Sequence, residues 1–239
     1  MPLPKVNTPT YELVLPSTNK KIKYRPFLVR EEKILIMALE TEDVKQITSS
    51  VIEILNACIL TRGIKIEKLA TFDLEYLFLN VRAKSVGESI DVNVTCPDDN
   101  KTTVEVKVDI DSIKIIKNKN HKDTVKLDDT LSLKLNYPSI EQFIENNFES
   151  SKGGEVTNTL DMITSCIDMI YSDEESWNAS ETSKKDLEEF IEQLNTKQFR
   201  VIEGFFDTMP KLSHSIKIKN PKTDVESTVV LEGLAAFFS

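Results

Sequence analysis

The chain has 239 residues, 40% of them hydrophobic, and its 39 acidic against 30 basic side chains give a net charge of -9 and a pI near 5.0. A chain of this length buries a substantial core without help from a cofactor, as one large domain or two small ones. The acidic balance argues against broad binding to nucleic-acid phosphates, which draws on clustered cations.

No segment approaches eighteen uninterrupted apolar residues, and the start, Met1-Pro-Leu-Pro-Lys-Val-Asn, lacks the apolar core of a signal peptide. No membrane partner is expected, and the location expected is cytosolic. Cys58, Cys96 and Cys166 are odd in number and widely spaced, which predicts reduced thiols rather than a disulfide framework.

In chain order, Tyr11 to Lys23 alternates about the turn Pro16-Ser-Thr-Asn19 and reads as a hairpin. Phe27 to Glu40 is predicted helical with Ile34, Leu35, Ala38 and Leu39 inward, and Val44 to Thr61 is a second helix with Val44, Ile47, Val51, Ile54, Leu55 and Cys58 on one side. Phe72 to Gly87 follows. Its rows Leu69-Phe72-Tyr76-Leu79-Ala83 and Leu74-Leu77-Phe78-Val81 cover most of the circumference, which predicts a buried central helix. The period then changes to two: Ile90, Val92 and Val94 run up to Cys96-Pro-Asp-Asp-Asn100, and Val104, Val106 and Val108 return. Ile110 to Ile116 reads as extended chain, Lys117 to Lys122 as a polar loop, and Thr124 to Tyr137 as two short strands.

Beyond Tyr137-Pro138, Ser139 can cap a short helix bearing Ile140, Phe143 and Ile144, and Ser150 to Gly154 reads as a boundary or hinge. A helix is predicted over Val156 to Tyr171, an acidic loop with Trp177 as its anchor over Ser172 to Glu181, a helix from Thr182 or Ser183 carrying Leu187, Phe190, Ile191 and Leu194, and another over Thr196 to Thr208. A last hairpin pairs Ser213–Lys219 with Ser227–Leu231. The fold class is therefore α+β: two helical groups with β-hairpins that join one mixed or antiparallel sheet region, divided as 1–138 and 139–239 or merged into one composite domain.

Catalytic chemistry finds little to use. His121 and His214 have no motif around them, and six glycines in the whole chain supply neither a phosphate loop nor a nucleophile elbow. No enzymatic activity and no cofactor are expected. The acidic pairs Asp98-Asp99, Asp128-Asp129 and Glu188-Glu189 read as turns and solvated faces, and a hydrolase would need such carboxylates to converge in a cleft with a bound divalent ion.

An internal echo carries more. Val92 to Asn100 and Ile216 to Asp224 are each a strand, a Pro-containing knuckle and a returning strand, the outline of a zinc-ribbon hairpin. The four ligand-equivalent positions hold Cys96, Asp99, Asn220 and Thr223, with only one thiol, so no metal is expected. Two readings stay open: a ribbon-like pair that stands without metal, or proline turns that merely recur. Trp177, the cations Arg82 and Lys84 at the end of the central helix, and the terminal Leu234, Phe237 and Phe238 are the candidate interaction residues. Two phenylalanines left in water forfeit roughly 1.5–3 kcal/mol each, so the terminus is expected to pack on its own domain or insert into a neighbour.

Arg25-Pro-Phe-Leu-Val-Arg-Glu-Glu-Lys33, Phe72-Asp-Leu-Glu-Tyr-Leu-Phe-Leu79 and Arg82-Ala-Lys-Ser-Val-Gly87 together resemble the T4-type bacteriophage baseplate protein family. Phe199 to Leu212 and the Gly-Leu-x-x-Phe-Phe ending at Phe238 are consistent with it. The resemblance implies phage tail morphogenesis: a baseplate hub assembly factor or chaperone that contacts hub and tape-measure proteins in the host cytoplasm, or a permanent subunit of the contractile-tail baseplate in the virion. It implies no catalytic residues.

Overall fold

The computed structural model of the chain describes residues 7–41, 43–144, 155–233 and 236. Among these, the strands are β1 (Tyr11–Val14), β2 (Lys21–Tyr24), β3 (Ser89–Thr95), β4 (Thr103–Asp109), β5 (Lys114–Ile116), β6 (Thr124–Lys126), β7 (Leu131–Leu135), β8 (Ile167–Ser172), β9 (Ser176–Asn178), β10 (Lys211–Lys219) and β11 (Glu226–Glu232). The helices are α1 (Val29–Leu39), α2 (Val44–Cys58), α3 (Thr71–Val86), α4 (Ile140–Ile144), α5 (Glu155–Cys166), α6 (Lys184–Glu192) and α7 (Thr196–Thr208). The chain is α+β.

The described strands form four separate antiparallel sheets, β1-β2, β11-β10-β5, β3-β4 and β6-β7-β8-β9, not one joined sheet region. Alternation fixes which face of a hairpin is buried and leaves its neighbour open. Here Val92, Val94 and Cys96 share an apolar core with Ile216, Ile218 and Leu231, so the two hairpins meet by their faces and need no common backbone ladder.

The chain divides into two compact units, Met1–Ile66 with Phe72–Ile116 and Lys211–Ser239, and Glu67–Thr71 with Lys117–Pro210. This differs from the division at 138/139. The carboxy-terminal hairpin belongs with the first unit because β10 pairs with β5, Lys211 opposite Ile116 and Ser213 opposite Lys114. The hinge read at Ser150 to Gly154 lies outside the described residues.

In the first unit α3 is the buried helix that its two apolar rows predict: Phe72, Leu74, Leu77, Phe78, Leu79, Val81 and Ala83 are all buried. Asp73 is buried among them and is met by the N–H of Ser17 at 3.0 Å and by the Ser17 hydroxyl. Asp43 caps α2 by accepting from Lys45 N and Gln46 N. That helix ends at Cys58, short of the predicted Thr61, because Cys58 O accepts from Arg25 N and Leu60 N donates to Lys23 O, drawing the chain into extended pairing beside β2.

In the second unit Leu133, Leu135, Ile163, Cys166, Ile167, Ile170, Leu187, Ile191, Ile202 and Phe205 build a core from the four-stranded sheet and α5, α6 and α7. Ser183 caps α6, and Asn195 with Gln198 forms a capping box on α7. The helix predicted through Tyr171 stops at Cys166, and Ile167–Ser172 becomes β8. One side chain and one backbone N–H hold that stop: Gln142 Nε2 donates to Ser165 O at 2.6 Å and Asn136 N to Cys166 O at 2.7 Å, so the last carbonyls of α5 are met from outside the helix. The loop expected over Ser172 to Glu181 is in part β9, paired with β8 as Ile170 opposite Trp177.

Candidate interaction site

The hairpin tips are built by one turn used three times. In Leu15-Pro-Ser-Thr-Asn19, Cys96-Pro-Asp-Asp-Asn100 and Asn220-Pro-Lys-Thr-Asp224 the fifth residue donates its N–H to the first residue's carbonyl, at 2.9 Å in each case. That fifth residue has positive φ, +56° at Asn19, +52° at Asn100 and +64° at Asp224, a conformation that Asn and Asp tolerate better than other side chains bearing a Cβ. The first residue, Leu15, Cys96 or Asn220, is buried. Because the turn also serves β1-β2, its recurrence alone is no sign of a ribbon.

The spatial pairing of the second and third knuckles is a separate observation. Asp98 reaches from one tip to the other: its carboxylate accepts from Asn220 Nδ2 at 3.0 and 2.9 Å and from Thr223 Oγ1 at 2.5 Å. These donors, Thr223 first and then Asn220, hold the Asp98 carboxyl below its ordinary range. Asp99 turns back into its own knuckle, accepting from Thr102 Oγ1 and from the N–H groups of Thr102 and Lys101. The Cys96 thiol is buried, and burial followed by the nearby Asp98 and Asp99 charges pushes its pKa up. Of the four ligand-equivalent residues, Asn220 and Thr223 thus converge, but on Asp98. Asp99 is engaged separately, by Thr102 and Lys101. Among the described residues no three His, Cys, Asp or Glu side chains are grouped as a metal site.

The first unit also holds a buried ion pair. Glu31 is buried in the first turn of α1, accepting from Arg25 Nη2 at 2.9 Å, Arg30 Nε at 2.6 Å and Leu28 N at 2.7 Å. Burial alone would raise its carboxyl; Arg25, Arg30 and the Leu28 N–H outweigh that and bring it down to about 2. Arg25 also bonds Pro26 O and lies 3.7 Å from Cys58 Sγ. Desolvation leads in raising the Cys58 thiol, to about 11. The Arg25-to-Lys33 block is therefore a fold clamp.

The candidate cations on α3 have different surroundings. Lys84 bonds Glu88 at 2.7 Å and lies 5.9 Å above the Tyr11 ring. Arg82 is half-buried, Nη1 is buried with no hydrogen-bond partner in the described structure, and desolvation lowers its pKa against the opposing pull of Asp91. In the second unit Trp177 is 43% exposed on β9, the three-residue edge strand of its sheet. The structure does not bring Trp177 into one unit with Arg82 and Lys84. Leu234, Phe237 and Phe238 lie outside the described residues, while Ala236 packs against the core of the first unit.

His121 is held in a closed knot. Its Nδ1 lies 3.0 Å from Thr208 Oγ1 and its Nε2 3.1 Å from Tyr137 Oη, with Phe205 and Tyr137 rings at 5.0 and 5.6 Å. Thr208 commits its proton to Gly204 O at 2.6 Å, so Nδ1–H donates to Thr208 and Nε2 accepts from Tyr137. Burial lowers the imidazole pKa against a smaller pull from Asp123, which keeps this neutral tautomer at pH 7.

A family model described as T4 bacteriophage base plate protein matches residues 8–239, nearly the whole chain. The chain belongs to that family. No curated protein and no solved structure matches. The base plate family match spans both units, including the Arg25–Glu31 clamp, the three knuckles and the His121 knot. Sequence reasoning missed Asp98 as the bridging residue and missed the first knuckle. The shared spacing of proline at the second and Asn or Asp at the fifth position was the signal for the latter.

Proposed function

We propose that this base plate family protein is an assembly factor for the baseplate hub, working through contacts with hub and tape-measure proteins in the host cytoplasm and not through catalysis. The family match over 8–239 carries the reading. It is supported by the use the fold makes of its reactive groups: all three cysteines are buried, Cys166 with its thiol pushed by burial to about 12, and His121 spends both ring nitrogens on Thr208 and Tyr137. A tagged chain purified from infected cells should bring down hub or tape-measure proteins and be missing from purified virions. Recovery of neither class of partner would reject the proposal. The family description, base plate protein, favours a second reading as a permanent baseplate subunit; stoichiometric detection in virions would select it.

A further inference from the structure

The exposed side of α1 is apolar at its centre and charged at its two ends. At 100° per residue, Val29, Lys33, Ile36, Met37 and Glu40 fall on one stripe, opposite the buried Glu31, Leu35 and Ala38. Val29 is 80% exposed, Met37 56% and Ile36 50%, large fractions for side chains of this kind. Lys33 and Glu40 are also exposed, and neither has an ion-pair partner among the described residues.

The order of these residues has a symmetry. Lys33 and Glu40 stand at equal distances, roughly 5 Å along the axis, on either side of a point between Ile36 and Met37. A two-fold axis through that point, perpendicular to α1, lays a second α1 antiparallel on the first. Each Lys33 then meets the Glu40 of the other copy, and Ile36 meets Met37 at the centre. A parallel pairing sets lysine against lysine and glutamate against glutamate.

We propose that the outer face of α1 is a docking surface for a second copy of this chain, packed antiparallel about Ile36 and Met37 with reciprocal Lys33–Glu40 pairs. Such an isologous contact is the usual form of a two-fold dimer. An eleven-residue helix offers less than the roughly 1,200 Å² of a standard interface, so the dimer is weak and depends on concentration. The inference is independent of the assembly reading.

Sedimentation velocity of the purified full chain over a concentration series up to about 1 mM should show a monomer–dimer equilibrium. Lys33→Glu and Glu40→Lys should each weaken it about tenfold or more, and the double variant K33E/E40K should restore it, because the swap recreates both pairs. Ile36→Asp should abolish it. These positions are exposed, and circular dichroism melts check that folding is retained; the charge-swap arm stands even where I36D fails to fold. A chain that stays monomeric throughout overturns the proposal. So does a dimer that the double variant leaves as weak as the single ones, since that dimer uses another face.

Discussion

The first unit meets its buried polar groups with charge, in Arg25–Glu31, in the Asp98 bridge and in Asp73 under Ser17, whereas the second closes a neutral imidazole between two hydroxyls and two aromatic rings. The difference sets how each unit responds to acid. Glu31 has a folded pKa of about 2 against an ordinary 4.5, so its contribution is complete above about 4.5 and is lost as pH falls through 2. His121 is also depressed, but from 6.5. Below that value the unfolded imidazole takes a proton that the folded one refuses, so stability begins to decline at 6.5 and goes on declining until the folded pKa is reached. Acid should therefore loosen the second unit before the first.

The largest expected break in this contrast is Glu31→Gln. Removing the carboxylate leaves Arg25 buried and uncompensated, a loss of about 3–5 kcal/mol, read as a fall in the urea midpoint. Next is Asn220→Ala, which removes the amide's two bonds to Asp98, leaves the Thr223 bond in place and should cost roughly 1 kcal/mol. Hydrogen exchange should report it as faster opening at the Cys96 and Asn220 knuckles with the second unit unchanged. His121→Phe should keep the ring packing and flatten the fall in stability below pH 6.5, seen in melts at stepped pH; an unchanged slope would mean that other groups drive it. Smallest is Lys84→Gln, which removes an exposed i,i+4 pair and should leave the melting temperature where it is. Loss of binding to a baseplate component in that folded variant would show that Lys84 serves the partner and not the helix.

Much of this arrangement is legible in the sequence, and the residues show why the rest is not. The all-round apolar rows of α3 and the alternation of Ile90 to Val108 announce burial and strand directly, because each pattern has one period. Ile163, Cys166, Ile167 and Ile170 fit a helical stripe equally well, and the change to strand at Ile167 depends on Gln142 and Asn136 arriving from elsewhere to take the α5 carbonyls. The Asn220 and Thr223 pairing with Asp98 spans more than a hundred residues and leaves no local trace. The charge-bearing Arg25–Glu31 clamp resembles an ordinary solvated helix start until burial is known.

The pairing of Ile116 with Lys211 has a consequence for synthesis. Both ends of the long 117–210 segment leave from adjacent strands of the first unit, so parts of that unit are made before the segment and parts after it. A ribosome adding about 5–20 residues per second takes several seconds to cross the segment. During that time the second unit has almost its whole sequence at hand, while the inner faces of β3 and β4 wait for β10 and β11. The β3-β4 hairpin, made before the segment, is thus covered only after it, and a host chaperone would have its longest opportunity at Ile90, Val92 and Val94.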